Sequence, residues 1–159
     1  MLADRPQSTA QDGGLPLTPA NSCFSVSQRE FVAELQSAGL ARHWVRGVLE
    51  EHSWTAATPA VDDLVVIVSE LVTNVVLHAS VPGKDVLVRL RRVEDRCRIE
   101  VLDGRPDLLP PTDLHPSEER GRGLLLVRGL SADMGVERSG GDKVVWAEVH
   151  PQGPFGAAA

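Results

Sequence analysis

The sequence predicts an α+β domain, a two-layer sandwich in which a mixed, mainly antiparallel sheet is covered on one face by helices. Three observations favour this fold class. Residues 85–93 and 96–103 both show partial apolar alternation and are joined across only Glu94-Asp95, so two strands there must be antiparallel. A long apolar segment, residues 64–79, repeats its polar positions at helical spacing. Residues 143–149 again have the composition of a strand.

In chain order the elements are predicted to be β-α-α-β-β-loop-α-β-β. Residues 29–35 are expected to form the first strand, and a stripe of small apolar residues then predicts a helix. The stripe consists of Ala38, Ala41, Val45, Val48 and Leu49. Thr58-Pro59 is typical of a helix start, with an N-cap residue followed by proline. A proline-rich loop over residues 104–120 and a helix over residues 123–132 precede the last two strands.

A single domain is expected for a chain of 159 residues, which is long enough to bury one hydrophobic core. Residues 1–22 are rich in Pro, Gly, Ser and Thr and are predicted to be a disordered N-terminal tail. Residues 151–159 are predicted to be a flexible C-terminal tail, which leaves residues 23–150 as the domain. No charged-then-apolar leader opens the sequence, and residues 64–79 are too few to span a bilayer, so a cytoplasmic location is expected.

Charge and cysteine content exclude some classes of protein. The net charge of −6 and the pI near 5.3 disfavour nonspecific binding to nucleic acid or to anionic membranes, although a local basic site stays open. Cys23 and Cys97 lie far apart without a CxxC spacing. Both are therefore expected to be reduced and to act as ordinary small apolar residues.

Glu70, Asn74 and His78 recur at every fourth position in the otherwise apolar residues 64–79. At about 100° per residue their side chains advance by only about 40° at each step, so they form one line along a helix. The line can be a solvent face or the wall of a cavity. No Lys or Arg occurs from residue 64 to residue 83, and most of the helix circumference is apolar, which weakens the solvent-face interpretation.

Residues 104–120 contain four prolines, and connections of this length are often lids over a binding site. The loop ends at Gly121 and Gly123, where a helix opens. Free N–H groups at a helix start can hold an anion that approaches the glycines closely, although a merely flexible helix start is the alternative. Arg120 and Arg122 add positive charge there, or are ordinary surface charges.

Asp103 follows an apolar strand and is itself followed by Gly104. A carboxylate in this position can simply terminate the strand. It can also accept a hydrogen bond from the exocyclic amine of a base that lies in a pocket.

Taken in order, the segments SELVTNVVLHA, VLDG, GRGLLLV and KVVWAEV resemble the histidine-kinase-like ATPase superfamily, which has the Bergerat fold. More narrowly, the chain is similar to the short bacterial anti-sigma factor serine kinases and their ATP-binding regulatory relatives. The resemblance covers about residues 29–149. It implies a fold of the class already predicted from the pattern of strands and helices.

The resemblance also implies a role for each matching residue. Asn74 matches the asparagine that coordinates the Mg²⁺ bridging the ATP phosphates, and Glu70 matches the general base that acts on the acceptor hydroxyl. Asp103 matches the aspartate that binds the adenine amino group, and residues 104–120 become the ATP lid. His78 receives no role. The residues implied to hold the phosphates are Arg120, Gly121, Arg122, Gly123 and Leu124.

Two positions depart from the family pattern. The usual DxGxG block is replaced by residues 103–107, which lack the glycine two positions after Asp103. The family's terminal strand commonly has a threonine near the adenine, and Val144 is taken as the matching residue here. Loss of that hydroxyl would remove one hydrogen bond, worth about 0.5–1.5 kcal/mol net, so a lower nucleotide affinity is expected.

The function implied is that of an ATP-binding serine/threonine kinase of the anti-sigma factor type, which phosphorylates an anti-anti-sigma (STAS-type) partner. Sigma-factor binding and a homodimer stay open, and no direct nucleic acid or membrane partner is expected. The alternative is a catalytically inactive nucleotide-binding module that regulates or binds a partner. Glu70 and Asn74 favour the kinase, whereas the altered adenine positions favour the module. A scaffold domain without nucleotide would require all the ordered motif matches to be coincidental.

Overall fold

The computed structural model describes residues 26–52, 58–104 and 119–150, which contain three helices and five strands in the predicted order. The strands are β1 (Val26–Phe31), β2 (Val86–Val93), β3 (Arg96–Asp103), β4 (Asp133–Ser139) and β5 (Asp142–Val149). The helices are α1 (Gln36–Glu51), α2 (Thr58–His78) and α3 (Glu119–Leu130).

The five strands form one sheet in the order β1-β2-β3-β5-β4. Every neighbouring pair is antiparallel. The hairpin from β4 to β5 places β5 between β3 and β4. Gly140 and Gly141 both adopt positive φ in that hairpin turn, a conformation that favours glycine. The α+β fold class is confirmed. Antiparallel pairs, which were expected to dominate a mixed sheet, make up all of the sheet that the structure describes.

The hydrophobic core lies between the helices and one face of the sheet. The central helix, α2, contributes Leu64, Ile67 and Val68, each fully buried. The opposing strands contribute buried residues at alternate positions, including Ile99 and Val101 of β3. The stripe predicted for α1 is also confirmed in the core. Its fully or largely buried members are Ala38, Ala41, Val45 and Leu49.

The first strand begins three residues and ends four residues earlier than predicted. It ends at Phe31, which pairs with Val86, the first residue of β2. Beyond Phe31 the segment has no strand to pair with, and the N–H of Glu34 instead bonds to the carbonyl of Val32 at 2.8 Å. The extent of the neighbouring strand thus fixed this boundary. The predicted tails and most of the predicted lid, residues 105–118, lie outside the described residues.

The outer face of the sheet, the face turned away from the helices, carries a network of ion pairs. Glu100 of β3 is only 3% exposed, yet its carboxylate lies 3.0 Å from Arg89, 3.3 Å from Arg91 and 3.4 Å from Arg98. Arg98 also pairs with Glu137 of β4 at 2.6 Å. The long side chains of these arginines cover the central carboxylate in place of a second helical layer.

Trp146 of β5 continues this outer face. The Arg98 guanidinium lies 3.9 Å from the centroid of its ring, a cation–π arrangement. Gly135 on the neighbouring strand leaves room for the indole, because a Cβ there would lie only 2.7 Å from the Cζ2 atom of Trp146. The network therefore spans four strands, β2 to β5.

Cys97 is fully buried in the core, and burial raises the pKa of its thiol above the usual range. It is thus the unreactive apolar residue that the sequence suggested, while Cys23 lies outside the described residues. None of the three described helices is both long enough and apolar enough to cross a membrane.

Candidate functional site

Glu70, Asn74 and Gly123, three of the predicted site residues, lie together where α3 packs against α2. A Cβ on Gly123 would lie 2.6 Å from Glu70 Oε2 and 3.8 Å from Asn74 Oδ1. Glycine at this position therefore lets the first turns of α3 approach two polar side chains of α2. Both side chains are half-buried, so they form neither core nor open surface. This arrangement favours the cavity-wall interpretation of the polar stripe.

The amide nitrogen Nδ2 of Asn74 is buried and has no hydrogen-bond partner among the described residues. Leaving such a group unpaired costs about 1–3 kcal/mol. An asparagine in this state fits a site where a polar ligand completes its hydrogen bonding. The side chain also carries an oxygen of the kind that Mg²⁺ prefers.

Asp103 occupies the end of β3, as predicted, and its carboxylate is paired. The Lys143 ammonium lies 2.8 Å from Asp103 Oδ2, and the two residues are directly opposite in the β3–β5 register. Both side chains are almost completely buried, with 3% of Asp103 and 5% of Lys143 exposed. Lys143 was not predicted from the sequence to be a site residue. The one signal was a lysine at the start of the apolar segment KVVWAEV, and its significance depends on a register that sequence alone does not give.

Val144 does not lie beside Asp103, so its predicted assignment as the residue near the adenine is wrong. Side chains alternate between the two faces of a strand, and Val144 pairs with Leu102, one position away from the Asp103–Lys143 pair. Its side chain therefore lies on the outer face, with Trp146. The residue of β5 that shares a face with Asp103 is Lys143.

The remaining predicted residues differ in their environment. Leu124 is buried in the hydrophobic core, so its side chain contributes to packing and any role in binding falls to its backbone. Arg122 is exposed beside Gly123. The helix α3 begins at Glu119, four residues before its predicted start at residue 123, so Arg120 and Gly121 belong to the helix and not to its entrance. The side chain of Arg120 lies outside the described part of the chain. His78 is half-buried at the end of α2.

A cavity of about 320 Å³ opens elsewhere, near the ends of β2 and β3. Its lining contains three carboxylates, from Glu30, Asp85 and Asp142, and one ammonium, from Lys84. An excess of negative charge is unsuited to a polyphosphate. The residues that line it include none of the predicted site residues, so we assign the site by the geometry around Gly123 instead.

The described residues contain no group of three or more His, Cys, Asp or Glu side chains placed to hold a metal ion. Mg²⁺ commonly takes only one or two protein oxygens together with substrate phosphates and water. Asn74 fits that smaller contribution.

Gly123→Ala should separate the site from the stability of the fold. The new methyl group would displace the Glu70 carboxylate, whose end is flexible, so nucleotide affinity should fall about tenfold, while alanine should stabilise the helix by up to about 1 kcal/mol. Titration with ATP and thermal unfolding would measure the two effects. Gly129→Ala in the same helix is the matched control, because its Cβ would contact nothing within 4 Å. Equal affinities for both variants would contradict a ligand site at Gly123.

Comparison with known proteins identifies the family of the chain. A family model described as the histidine kinase-like ATPase domain matches residues 31–149, well over half of the chain. The matched range contains all three helices and four complete strands, β2 to β5, as well as Glu70, Asn74, Asp103 and Gly123. A search of curated proteins gave no significant match.

Proposed function

The chain belongs to the histidine kinase-like ATPase domain family, and from that premise we propose that it is an ATP-dependent serine/threonine protein kinase of the anti-sigma factor type. The family supports an ATP-binding regulatory function. Kinase activity and the identity of the partner are the proposal. The observation that carries it is the closeness of Gly123 to Glu70 and Asn74, which brings the N-terminal half of α3 beside a carboxylate and an amide.

ATP and Mg²⁺ fit the residues at this contact. Asn74 would supply one oxygen ligand to the metal, and the N–H groups in the first turn of α3 would hold phosphate oxygens. Gly123 keeps the backbone there open to a phosphate because it adds no side chain. When bound, the metal supplies charge stabilisation to the phosphates during transfer.

Glu70 would act as the general base. The hydroxyl oxygen of the acceptor serine or threonine forms the new bond to the γ-phosphorus, and the bond to the bridging oxygen breaks to release ADP. The hydroxyl proton passes to the Glu70 carboxylate. Glu70 lies one helical turn from Asn74, so base and metal ligand would face the same phosphate.

The proposed acceptor is an anti-anti-sigma (STAS-type) protein, with phosphorylation regulating a sigma factor. This partner rests on the resemblance of the ordered motifs SELVTNVVLHA and GRGLLLV to the short anti-sigma kinases. The second candidate function is a nucleotide-binding module without catalysis. One observation favours it: the Asp103 carboxylate is already engaged by Lys143, which changes the family's adenine-binding arrangement.

Calorimetric titration with ATP, with and without Mg²⁺, tests the proposed site. Asn74→Ala should weaken binding about 10–100-fold in the presence of Mg²⁺, the range for losing an interaction with a charged group. Without the metal the variant and the wild type should differ much less. Leu77→Ala, an exposed change on the same helix, is the control. Equal heats for wild type and Asn74→Ala in all conditions would remove Asn74 from the metal site.

A further inference from the structure

The cavity of about 320 Å³ opens along the outer face of the sheet, the face that no described helix covers. Its floor is formed by Leu87 and Leu102, which are half-buried and lie directly opposite each other in the β2–β3 register. Side chains alternate along a strand, and the neighbouring Val86 and Val101 are buried in the core on the other face. The outer-face cavity and the site at Gly123 therefore lie on opposite sides of the sheet.

Three carboxylates surround the floor of the outer-face cavity, and two of them have no partner. Asp142 pairs with the Lys84 ammonium at 2.7 Å, so these two charges compensate each other. Glu30, which lies opposite Leu87 in the β1–β2 register, and Asp85, which directly precedes β2, are both exposed. Neither forms a hydrogen bond or ion pair with any described residue. The outer-face cavity therefore keeps two uncompensated negative charges beside an apolar floor.

An arginine side chain has the chemistry that matches both features. Its aliphatic stem can lie along apolar surface, and its planar guanidinium presents five N–H donors that bond carboxylates two at a time. The volume is near the lower end of the range for ligand sites, about 300–1,000 Å³, which suits one long side chain better than a large cofactor. A metal ion matches less well, since the described residues include no group of three or more His, Cys, Asp or Glu placed to hold one.

We propose that the outer-face cavity binds an arginine side chain from a basic segment of a partner protein. The stem would lie on Leu87 and Leu102, and the guanidinium would bond to Glu30 and Asp85. The net charge of −6 would favour the approach of such a segment. This docking site goes beyond the proposed kinase function and does not depend on it, because it lies on the other side of the sheet from Gly123.

The probes are the peptide acetyl-Ala-Arg-Ala-amide and its citrulline counterpart, which has nearly the same shape but no charge. Titration of the full chain, followed by its ¹⁵N–¹H NMR spectrum, should give a Kd of about 1 mM for the arginine peptide. The amide signals of Gly83, Leu87 and Leu102 should shift, and that of Gly123 should not. The citrulline peptide should bind at least about tenfold more weakly. A lysine peptide should also bind more weakly, because an ammonium lacks the planar fork of donors.

Two variants and a matched control locate the binding. Glu30→Gln and Asp85→Asn each remove one charge from the outer-face cavity, and each should raise the Kd of the arginine peptide about tenfold. Both residues are exposed, so the fold should be retained. Asp95→Asn makes the same change of charge beyond the opposite end of β2, at a side chain that is 70% exposed. It should keep the Kd of the wild type.

Four results would overturn the proposal. They are no shift at about 10 mM peptide, equal binding of the arginine and citrulline peptides, equal weakening by Asp85→Asn and Asp95→Asn, and shifts centred on Gly123. Equal weakening would indicate a general attraction to an acidic protein. Equal binding of the lysine peptide would overturn the assignment to arginine.

Titration of the same proteins with ATP separates this proposal from the proposed function. Glu30→Gln and Asp85→Asn should bind ATP as the wild type does, because neither residue lies near Gly123. A wild type that bound the arginine peptide but not ATP would refute the proposed function and leave the docking site standing. Parallel loss of ATP and peptide binding in either variant would instead contradict two separate sites.

Discussion

Replacing Glu70 with glutamine should lower phosphotransfer by about 10²–10⁴-fold, the usual effect of losing a general acid or base. Glutamine has almost the same shape, so the contact with Gly123 and the affinity for ATP should both be retained. The neutral amide cannot take the proton of the acceptor hydroxyl at neutral pH. A radiolabelled γ-phosphoryl group transferred to a confirmed protein partner is the measurement, made at saturating ATP.

Asp62→Asn is the matched control for this variant. It makes the same change from carboxylate to amide on the same helix, but at an exposed residue paired with Arg46 at 2.9 Å. Its rate should equal that of the wild type. If the Glu70 side chain were only structural, Glu70→Gln would either lower the melting temperature or change nothing. A partner phosphorylated equally well by wild type and Glu70→Gln would contradict the role of Glu70 as general base.

The largest loss of stability should come from Lys143→Met. This change leaves the Asp103 carboxylate buried without its 2.8 Å partner, and breaking a buried pair from one side costs about 3–5 kcal/mol of unfolding free energy. Urea unfolding would measure it. Lys84→Met should cost no more than about 1 kcal/mol, because both side chains of that pair are substantially exposed.

A double variant tests whether the stability lost in Lys143→Met comes from the unpaired Asp103 carboxylate or from lost packing. Adding Asp103→Leu to Lys143→Met removes both charges, so most of the lost stability should return. If the double variant were as unstable as the sum of the two single changes, the pair would not be coupled, and the destabilisation would come from packing alone.

Local periodicity predicted much of the fold. The line of Glu70 and Asn74 on α2 and the small residue at Gly123 follow from spacing and side-chain size, and the structure places these three residues close together. The roles assigned to them stay predictions. The end of the first strand could not be predicted, because it depends on where a partner strand more than 50 residues away begins.

The pairing of Asp103 with Lys143 could not be predicted from the sequence for the same reason. Lys143 is 40 residues away in the chain, and only the register of β3 against β5 brings the two together. A shift of one residue in that register would move Val144 to the helix-covered face and Lys143 to the other. Which residues lie opposite each other in a sheet depends on the register of two strands, so no pattern within one strand reveals it.

The ion pairs on the outer face also determine how the domain responds to heat. The hydration of charged groups becomes less favourable as temperature rises, so the penalty for withdrawing Glu100 and its arginines from water shrinks on warming. The apolar core between α2 and the sheet does not gain in the same way. The ion pairs on the outer face should therefore contribute a larger share of the stability of the fold at high temperature than at low temperature.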